Sequence, residues 1–343
     1  MKSSASSQEY VFGIDGGATY SFGVAVTLEG KVIARAQSGS LNFLGSPLAA
    51  TRRNLHDLVR NLDSQLPLGR TLVGAVIGSA ALFAEAPPDQ KLKLCQGLIP
   101  SDRTRLVSDC MTAYAGVCLN RPGVLIISGT GSVILAKSDA GRFFQTGGWG
   151  HLLGDEGSAY WVAVQSIRAA IAALEGRGPE TALVSDISRW FQVRDLSDIV
   201  PIIHRQDFNK EKMAALAGYL STQADTDLVF QEICRDGGKS LGDLALYAIH
   251  GAELKLDPVP VYFNGSVLRK NARVREALIA RMEEHSGILV MEGHLAPMLG
   301  AAAMALVDAG ITLTPEVIQN LKESSPPFPP PGATAESLSP QVT

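Results

Sequence analysis

The chain has 343 residues, of which 46% are hydrophobic, and a formal net charge of −4. Such a length can bury a sizeable core and is more typical of two domains than of one. Lys and Arg are scattered, singly or in adjacent pairs, so we expect no nucleic-acid partner, because no basic face is available for a run of phosphates. No apolar run approaches the roughly 18 to 20 residues needed to span a bilayer, and we expect a cytoplasmic protein without membrane contact.

The amino-terminal part predicts a strand, turn, strand, turn, strand unit. An apolar strand over 10–14 runs into a Gly-rich turn over 15–19, strand character resumes over 21–26, and a further turn leads to a strand over 32–36. Residues 1–9 precede this unit and are expected to be disordered.

The same order returns in the middle of the chain. An apolar strand over 124–127 meets a Gly-rich turn over 128–132, which is followed by strands over 133–136 and 142–145. The chain therefore looks like a duplication.

The segments between and after these units alternate between strand and helix patterns. Helical spacing is predicted over 49–62, 110–119, 157–174, 210–221, 226–250 and 297–308, and strands over 72–78, 106–108 and 260–263. This alternation predicts an α/β fold with a largely covered sheet. The Pro-rich tail over 324–343 can form neither helix nor sheet ladder and is excluded from the fold.

Four cysteines, Cys95, Cys110, Cys118 and Cys234, form neither a CxxC pair nor a tight cluster with histidines. This spacing argues against zinc, iron–sulfur and redox sites. We expect plain buried thiols, because free cysteine behaves as a small hydrophobe.

Both Gly-rich turns have the chemistry of a phosphate site. Glycine removes the Cβ that would keep an anion away from the backbone N–H groups, and Thr19 adds a hydroxyl donor to the first turn. The first turn could also be a tight hairpin capped by Asp15, and it is the pairing with Gly129-Thr130-Gly131-Ser132 that favours a polyphosphate. Neither turn matches the Walker or dinucleotide-binding patterns.

Asp109 follows a short strand and precedes a helix, which is where open α/β sheets place their ligands. Phosphoryl transfer needs one carboxylate within hydrogen-bond reach of the accepting hydroxyl. The spacing alone equally allows Asp109 to be an ordinary helix cap.

The segment 147–161 combines five glycines, two tryptophans and an Asp–Glu pair. Glycine lowers order and exposed tryptophan favours association, so a mere connector would gain nothing from this composition. It predicts a shaped binding loop, with helix capping as the alternative for one carboxylate. For His151, packing or loop hydrogen bonding is favoured over metal ligation.

Taken together, the motifs resemble the N-acetylglucosamine kinases, in the BadF/BadG-type ATPase group of the actin, sugar kinase and heat-shock chaperone superfamily. The resemblance covers roughly residues 10 to 310 and is most specific over 147–161. The motifs that carry it occur in the family's order and are Gly13 to Thr19, Ser108-Asp109, Gly129 to Ser132, Gly147 to Trp161, Gly265-Ser266-Val267 and Leu299 to Ala302.

The resemblance implies a two-lobed, duplicated ribonuclease-H-like fold of the actin-like ATPase type, which closes over ATP and sugar and is commonly a homodimer. It implies domains over 10–119, completed by a closing helix at about 312–323, and over 120–311.

The resemblance also assigns roles to individual residues. Asp109 would be the catalytic base and Asp15 would hold Mg²⁺ through water. ATP would contact Gly16, Gly17, Thr19, Gly129, Thr130, Gly131, Ser132, Gly265 and Ser266. The sugar would contact Asn42, Gly148, Trp149, Asp155 and Asp109, although Asn42 could be an ordinary loop residue. The chain departs from the family pattern at Ala18, Cys110 and Asn264, none of which is a proposed catalytic group.

The implied reaction is transfer of the ATP γ-phosphate to the C6 hydroxyl of N-acetylglucosamine. Glucosamine and N-acetylmuramic acid are the nearest alternative acceptors, the first with a weaker resemblance around 154–158. A reductive dehydratase activator is disfavoured by the isolated cysteines, and a sugar sensor without catalysis by the presence of Asp109 and both turns.

Overall fold

The computed structural model of the chain describes residues 8–17, 20–42, 47–80, 82, 86–205, 208–291 and 293–324. The chain divides into two units. The first contains residues up to Ala113 together with those from Pro297, and the second contains Tyr114–Ala296. The expectations for Ala18, Thr19, the first seven residues and the tail from 325 lie outside the described residues.

Ten strands, numbered in chain order, are present in the described part of the chain. They are β1 (Glu9–Gly16), β2 (Tyr20–Thr27), β3 (Val32–Gly39), β4 (Thr71–Ser79), β5 (Thr104–Ser108), β6 (Gly123–Ser128), β7 (Ser132–Lys137), β8 (Phe143–Gly147), β9 (Val259–Asn264) and β10 (Ile288–Met291).

Twelve α-helices accompany the strands over the same described ranges. They are α1 (Leu48–Asp63), α2 (Pro88–Cys95), α3 (Asp109–Cys118), α4 (Ala159–Leu174), α5 (Leu183–Phe191), α6 (Ile199–Ile203), α7 (Lys210–Gln223), α8 (Leu228–Gly251), α9 (Ser266–Lys270), α10 (Ala272–Glu283), α11 (Pro297–Asp308) and α12 (Pro315–Glu323).

Each unit is built on one five-stranded sheet, and the two sheets have the same topology. The first has the order β3-β2-β1-β4-β5 and the second has the order β8-β7-β6-β9-β10. In both, the first three strands in sequence pair antiparallel, and the last two run parallel to the first. The predicted α/β duplication is therefore confirmed.

Helix α11 packs closely on the sheet of the first unit, against β1 and β4. A Cβ built on Gly13 would lie only 2.3 Å from the backbone nitrogen of Ala302. Glycine at this position is therefore what allows the small-residue face of α11 to approach β1. On the same sheet, α1 contributes Leu55, Leu58 and Leu62 to the buried core.

The second unit buries a larger helical layer against its sheet. Helices α4, α7 and α8 contribute Val162, Leu216 and Leu241 to a core that also contains Ile126 and Ile134 of the sheet. Ser158 caps α4, since its Oγ accepts a hydrogen bond of 3.1 Å from the Trp161 amide. The helix predicted from residue 157 therefore starts two residues later.

The division of the chain differs from the expected domains in two respects. The boundary between Ala113 and Tyr114 falls inside α3 rather than after residue 119, and α11 belongs to the first unit although residues to 311 were assigned to the second domain. The reason for the latter is the packing of α11 on β1, a contact between residues nearly 300 positions apart that no local pattern indicates.

Strand β10 was not predicted, and neither were helices α2, α5, α6, α9 and α10. A run of four residues such as β10 is too short to show a period, and its pairing with β9 is what makes it a strand. Among the described residues, no helix is both long and apolar enough to cross a membrane.

Candidate functional site

The first unit gathers its predicted site residues at one edge of the sheet. Gly78 of β4 pairs with Asp15 of β1 on one side and with Val107 of β5 on the other. These three strands are parallel, so their carboxyl ends meet at the same edge. Since α3 starts at Asp109 directly after β5, Asp15 and Asp109 both belong to this edge.

Gly78 leaves room for the Thr112 side chain next to Asp109. A Cβ at this position would lie 2.6 Å from Thr112 Oγ1 and 3.3 Å from Asp109 Cα. Thr112 fills the space instead, with its Oγ1 2.9 Å from the Asp109 carbonyl and 3.5 Å from Asp15 Oδ1. The sequence did not indicate that Gly78 and Thr112 belong to the site. Both follow from the position of β4 between β1 and β5 in the sheet.

The turn after β1 is held from both sides by backbone hydrogen bonds. The Gly16 carbonyl accepts from the Ala80 amide at 2.9 Å, and the Gly17 carbonyl accepts from the Leu41 amide at 3.3 Å. Ser40 Oγ also donates to the Gly17 carbonyl and accepts from the Asn42 amide. The predicted sugar ligand Asn42 therefore lies beside the first Gly-rich turn, whereas Thr19 lies outside the described residues.

Ser108 takes the capping position of α3. Its Oγ accepts a hydrogen bond of 3.2 Å from the Cys110 amide, two residues further on, as N-cap side chains do. Asp109 is then the first residue of the helix rather than its cap. This arrangement weakens the alternative in which Asp109 serves only to cap the helix.

The pKa values of both carboxyl groups are raised, which favours their protonated forms. The pKa of Asp15 is raised to about 7, first by burial and then by the nearby charge of Asp109, with the Thr112 hydrogen bond acting in the opposite direction. Burial also raises the pKa of Asp109, against the hydrogen bonds from Cys110 and Ser108. A carboxylate with a raised pKa is a better proton acceptor than an ordinary exposed one.

Cys110 lies directly beside Asp109, with its Sγ 3.5 Å from Asp109 Oδ1. Burial raises the pKa of this thiol well above its usual range, so it is a neutral donor rather than a nucleophile. The other three cysteines, Cys95, Cys118 and Cys234, are free and buried, as predicted.

The second unit gathers another set of predicted residues around the turn between β6 and β7. The Gly129 amide donates to the Gly131 carbonyl at 2.9 Å and closes the turn. Gly265 follows β9 with φ of +108°, and a Cβ there would lie 2.0 Å from the Ser128 carbonyl oxygen. Ser266 lies near Gly129, because its Oγ would be 3.8 Å from a Cβ built on Gly129.

Asp155 also belongs to this group, although 23 residues separate it from the turn in sequence. Its Oδ1 accepts a hydrogen bond of 3.3 Å from the Ser132 amide, and Ser132 Oγ donates to the Glu156 carbonyl at 2.8 Å. The pKa of Asp155 is raised by burial, with the Ser132 hydrogen bond and the charges of Lys210 and His151 acting against this.

The part of the 147–161 segment that precedes Asp155 is more exposed. Gly148 follows β8 and has a φ of +73°. Trp149 is 70% exposed, and Leu152 and Leu153 are also largely exposed. The His151 ring packs edge-on against Tyr160 at 4.7 Å between centroids, which agrees with a packed histidine. The structure thus joins Asp155 to the turn and leaves Trp149 in solvent.

Among the described residues, no three His, Cys, Asp or Glu side chains form a cluster that could enclose a metal ion. The carboxylates of the first unit nevertheless suit a hard cation, because Mg²⁺ prefers oxygen ligands and keeps several waters. A Mg²⁺ ion bound to ATP needs only one or two carboxylates, since phosphate oxygens and water complete its coordination. Asp15 fits this role.

Known proteins resemble the chain over most of its length. It is 30% identical over 239 residues to an N-acetylmuramic acid/N-acetylglucosamine kinase of Clostridium acetobutylicum, covering 68% of this chain and 77% of the relative. It is 27% identical over 318 residues to an N-acetyl-D-glucosamine kinase of Dictyostelium discoideum, covering 88% and 98% of the two chains.

A solved structure supports the fold. A putative N-acetylglucosamine kinase of Chromobacterium violaceum superposes with a TM-score of 0.66 at 21% identity, covering 87% of this chain and 98% of the other. The duplicated α/β architecture is thus a ribonuclease-H-like, actin-like fold. A sequence profile of the BadF/BadG/BcrA/BcrD ATPase family matches residues 12–305, and the chain belongs to that family.

Proposed function

We propose that the protein is an ATP-dependent amino sugar kinase that phosphorylates the C6 hydroxyl of N-acetylglucosamine. The observation that carries this proposal is the half-buried side chain of Asp109 at the carboxyl end of β5, near a second half-buried carboxylate, Asp15, with the pKa of both raised. The names of the relatives from C. acetobutylicum and D. discoideum support the acceptor class.

In the proposed reaction, Asp109 takes the proton of the C6 hydroxyl as its oxygen attacks the γ-phosphorus. The bond from the γ-phosphorus to the β,γ-bridging oxygen breaks, and ADP leaves with that oxygen. Catalysis consists mainly of positioning and electrostatic stabilisation, because the transferred phosphoryl group needs little covalent help from the protein.

The nucleotide is assigned to the Gly-rich turns. The turn Gly129 to Ser132 and the residues Gly16, Gly17 and Thr19 of the first unit line the phosphates, and Gly265 and Ser266 contact the adenosine. Asp15 would hold Mg²⁺ through water, and the ion would neutralise part of the charge of the phosphates.

The acceptor sugar is assigned to Asn42, Gly148, Trp149 and Asp155, together with the base Asp109. Asp155 is only 6% exposed, and its carboxylate oxygens would accept hydrogen bonds from sugar hydroxyls. We also propose that the protein is cytoplasmic and forms a homodimer. Light scattering of the purified protein would test the homodimer.

A coupled ADP-release assay tests the acceptor. N-acetylglucosamine, N-acetylmuramic acid, glucosamine, N-acetylmannosamine and glucose would be compared at equal concentrations with ATP and Mg²⁺. We expect the highest kcat/KM for N-acetylglucosamine, and NMR of the product would locate the phosphate at C6.

N-acetylmuramic acid is the second candidate acceptor, because the name of the C. acetobutylicum relative includes both sugars. A higher kcat/KM for N-acetylmuramic acid would favour it, whereas a preference for glucose would contradict the amino sugar proposal.

A further inference from the structure

The turn over Gly129–Ser132 is held from two sides by the segment that begins at Asp155. On one side, the Asp155 carboxylate accepts the Ser132 amide hydrogen. On the other, the carbonyls of Gly129 and Thr130 accept from the Ala159 and Tyr160 amides, at 2.9 and 3.3 Å. These are the first two residues of α4, whose amides have no partner within the helix. The conformation of the turn therefore depends on residues 155–160.

Asp155 adopts an unfavourable conformation to make this contact. Its φ of +61° is in the left-handed region, which residues other than glycine seldom occupy, and its side chain is nearly buried. An aspartate in an ordinary solvent-exposed loop is not expected to combine a left-handed backbone with a nearly buried side chain. The hydrogen bond from Ser132 and the fit beside Gly131 are what compensate for them.

Gly131 is shaped to receive the Asp155 carboxylate. A Cβ built on Gly131 would lie 2.7 Å from Asp155 Oδ2, and its three nearest atoms all belong to Asp155. The φ of Gly131 is not in the left-handed region, so its backbone would accept alanine. Glycine is therefore needed at position 131 because a Cβ there would displace the Asp155 carboxylate.

We propose that Asp155 is a positioning residue for the phosphate-binding turn, and that it couples sugar binding to ATP binding. This inference rests on the proposed function. Asp155 Oδ1 fixes the Ser132 amide, and a sugar hydroxyl that donates to the same carboxylate would hold it in place. A group that is fixed by one ligand and orients the site of the other makes the two affinities rise together, by the same factor in both directions.

Binding measurements on the full chain test the positioning role. The Kd of a non-hydrolysable ATP analogue with Mg²⁺ would be measured by calorimetry for the wild type, Asp155→Ala and Asp155→Asn, without sugar. We expect Asp155→Ala to weaken analogue binding about tenfold, because the Ser132 amide loses its acceptor. Asp155→Asn keeps an acceptor oxygen and is expected to stay within about threefold of the wild type.

A residue that only contacts sugar would leave analogue affinity unchanged in both variants when no sugar is present. An unchanged Kd for Asp155→Ala would therefore overturn the positioning role. If Asp155→Ala fails to fold, Gly131→Ala provides the second test. The added methyl displaces the carboxylate without removing it.

Gly131→Ala also tests the coupling to sugar. Although the change lies in the nucleotide turn, we expect it to raise the Kd for N-acetylglucosamine at least fivefold and to reduce the sugar-induced gain in analogue affinity. In the double variant with Asp155→Ala, the methyl group should have little further effect. Gly218→Ala on α7 is the matched control, since nothing lies within 4 Å of the added Cβ.

Unchanged sugar affinity in Gly131→Ala, or fully additive effects in the double variant, would overturn the coupling. The wild type could fail to bind any amino sugar while Asp155→Ala still binds the analogue more weakly than the wild type does. That result would support the positioning role and contradict the proposed acceptor.

Discussion

The two units share one sheet topology but differ in what they place at the end of the first strand. In the first unit β1 ends with Asp15-Gly16, and in the second β6 ends with Ser128, which Gly129 follows. Asp15 is a half-buried carboxylate near another carboxylate, whereas Ser128 Oγ donates a hydrogen bond of 2.9 Å to the Gly157 carbonyl. The same backbone position thus carries an ionisable carboxyl group in the first unit. In the second unit it carries a neutral hydroxyl that already has a hydrogen-bond partner.

This difference shows how a duplicated scaffold can divide its work. A carboxylate whose pKa is raised because it is partly withdrawn from water is unfavourable for folding and is typical of residues kept for chemistry. In the second unit, the polar groups of the turn bond to residues 155–160, which stabilises a defined backbone shape. The first unit is therefore expected to provide charge for the reaction, and the second a preorganised turn.

The largest expected effect is on catalysis in the first unit. Asp109→Asn should lower kcat about 10²- to 10⁴-fold, since a positioned general base contributes an effect of this size. Analogue and sugar Kd values should change less than about threefold, because asparagine has nearly the same shape. Asp155→Asn, a like substitution in the second unit, is the comparison, and an equal fall in its kcat would contradict this division of roles.

The next largest effect is on the stability of the second unit. Gly265→Ala should lower the free energy of unfolding by about 3 kcal/mol or more, because it combines a left-handed φ with a clash against the Ser128 carbonyl. Urea unfolding monitored by circular dichroism measures this change. Gly218→Ala is the control and should be neutral or stabilising by up to about 1 kcal/mol, since α7 gains a better helix former. Equal stability of the two variants would refute the close approach at Gly265.

A smaller and opposite effect is expected at Asp15. Its folded-state pKa of about 7 exceeds the ordinary value, so its contribution to stability is lost as pH rises from about 4 through 7. Asp15→Asn should therefore raise the Tm by a few degrees at pH 8 and change it little near pH 4. Calorimetry at both pH values, with loss of activity as the companion measurement, checks this. If the Tm difference between Asp15→Asn and the wild type were the same at both pH values, the raised pKa of Asp15 would be contradicted.

The smallest effect is expected at the equivalent position of the second unit. Ser128→Ala removes one buried hydrogen bond and should lower the free energy of unfolding by about 1 kcal/mol. The loss should be the same at pH 5 and pH 8, because no charge is involved. A pH-dependent loss would remove the contrast between Ser128 and Asp15.

The sequence by itself determined the parts of this protein that depend on local patterns. The apolar runs that become β1 and β6 and the glycines that follow them predicted the duplication, because strand period and turn chemistry are local properties. The segment α11 was predicted with the bounds that the structure has. The sequence motifs also identified the family, through Asp109, the Gly-rich turns and the 147–161 segment.

The tertiary structure alone decided which of these parts meet. Helix α11 joins the first unit because Gly13 lets it approach β1, and Thr112 fills the space above Gly78 because β4 lies between β1 and β5. Asp155 reaches Ser132 only through a left-handed backbone that aspartate seldom adopts. Such contacts depend on sheet order and on the close approach of distant residues, which the spacing of residues along a chain does not specify.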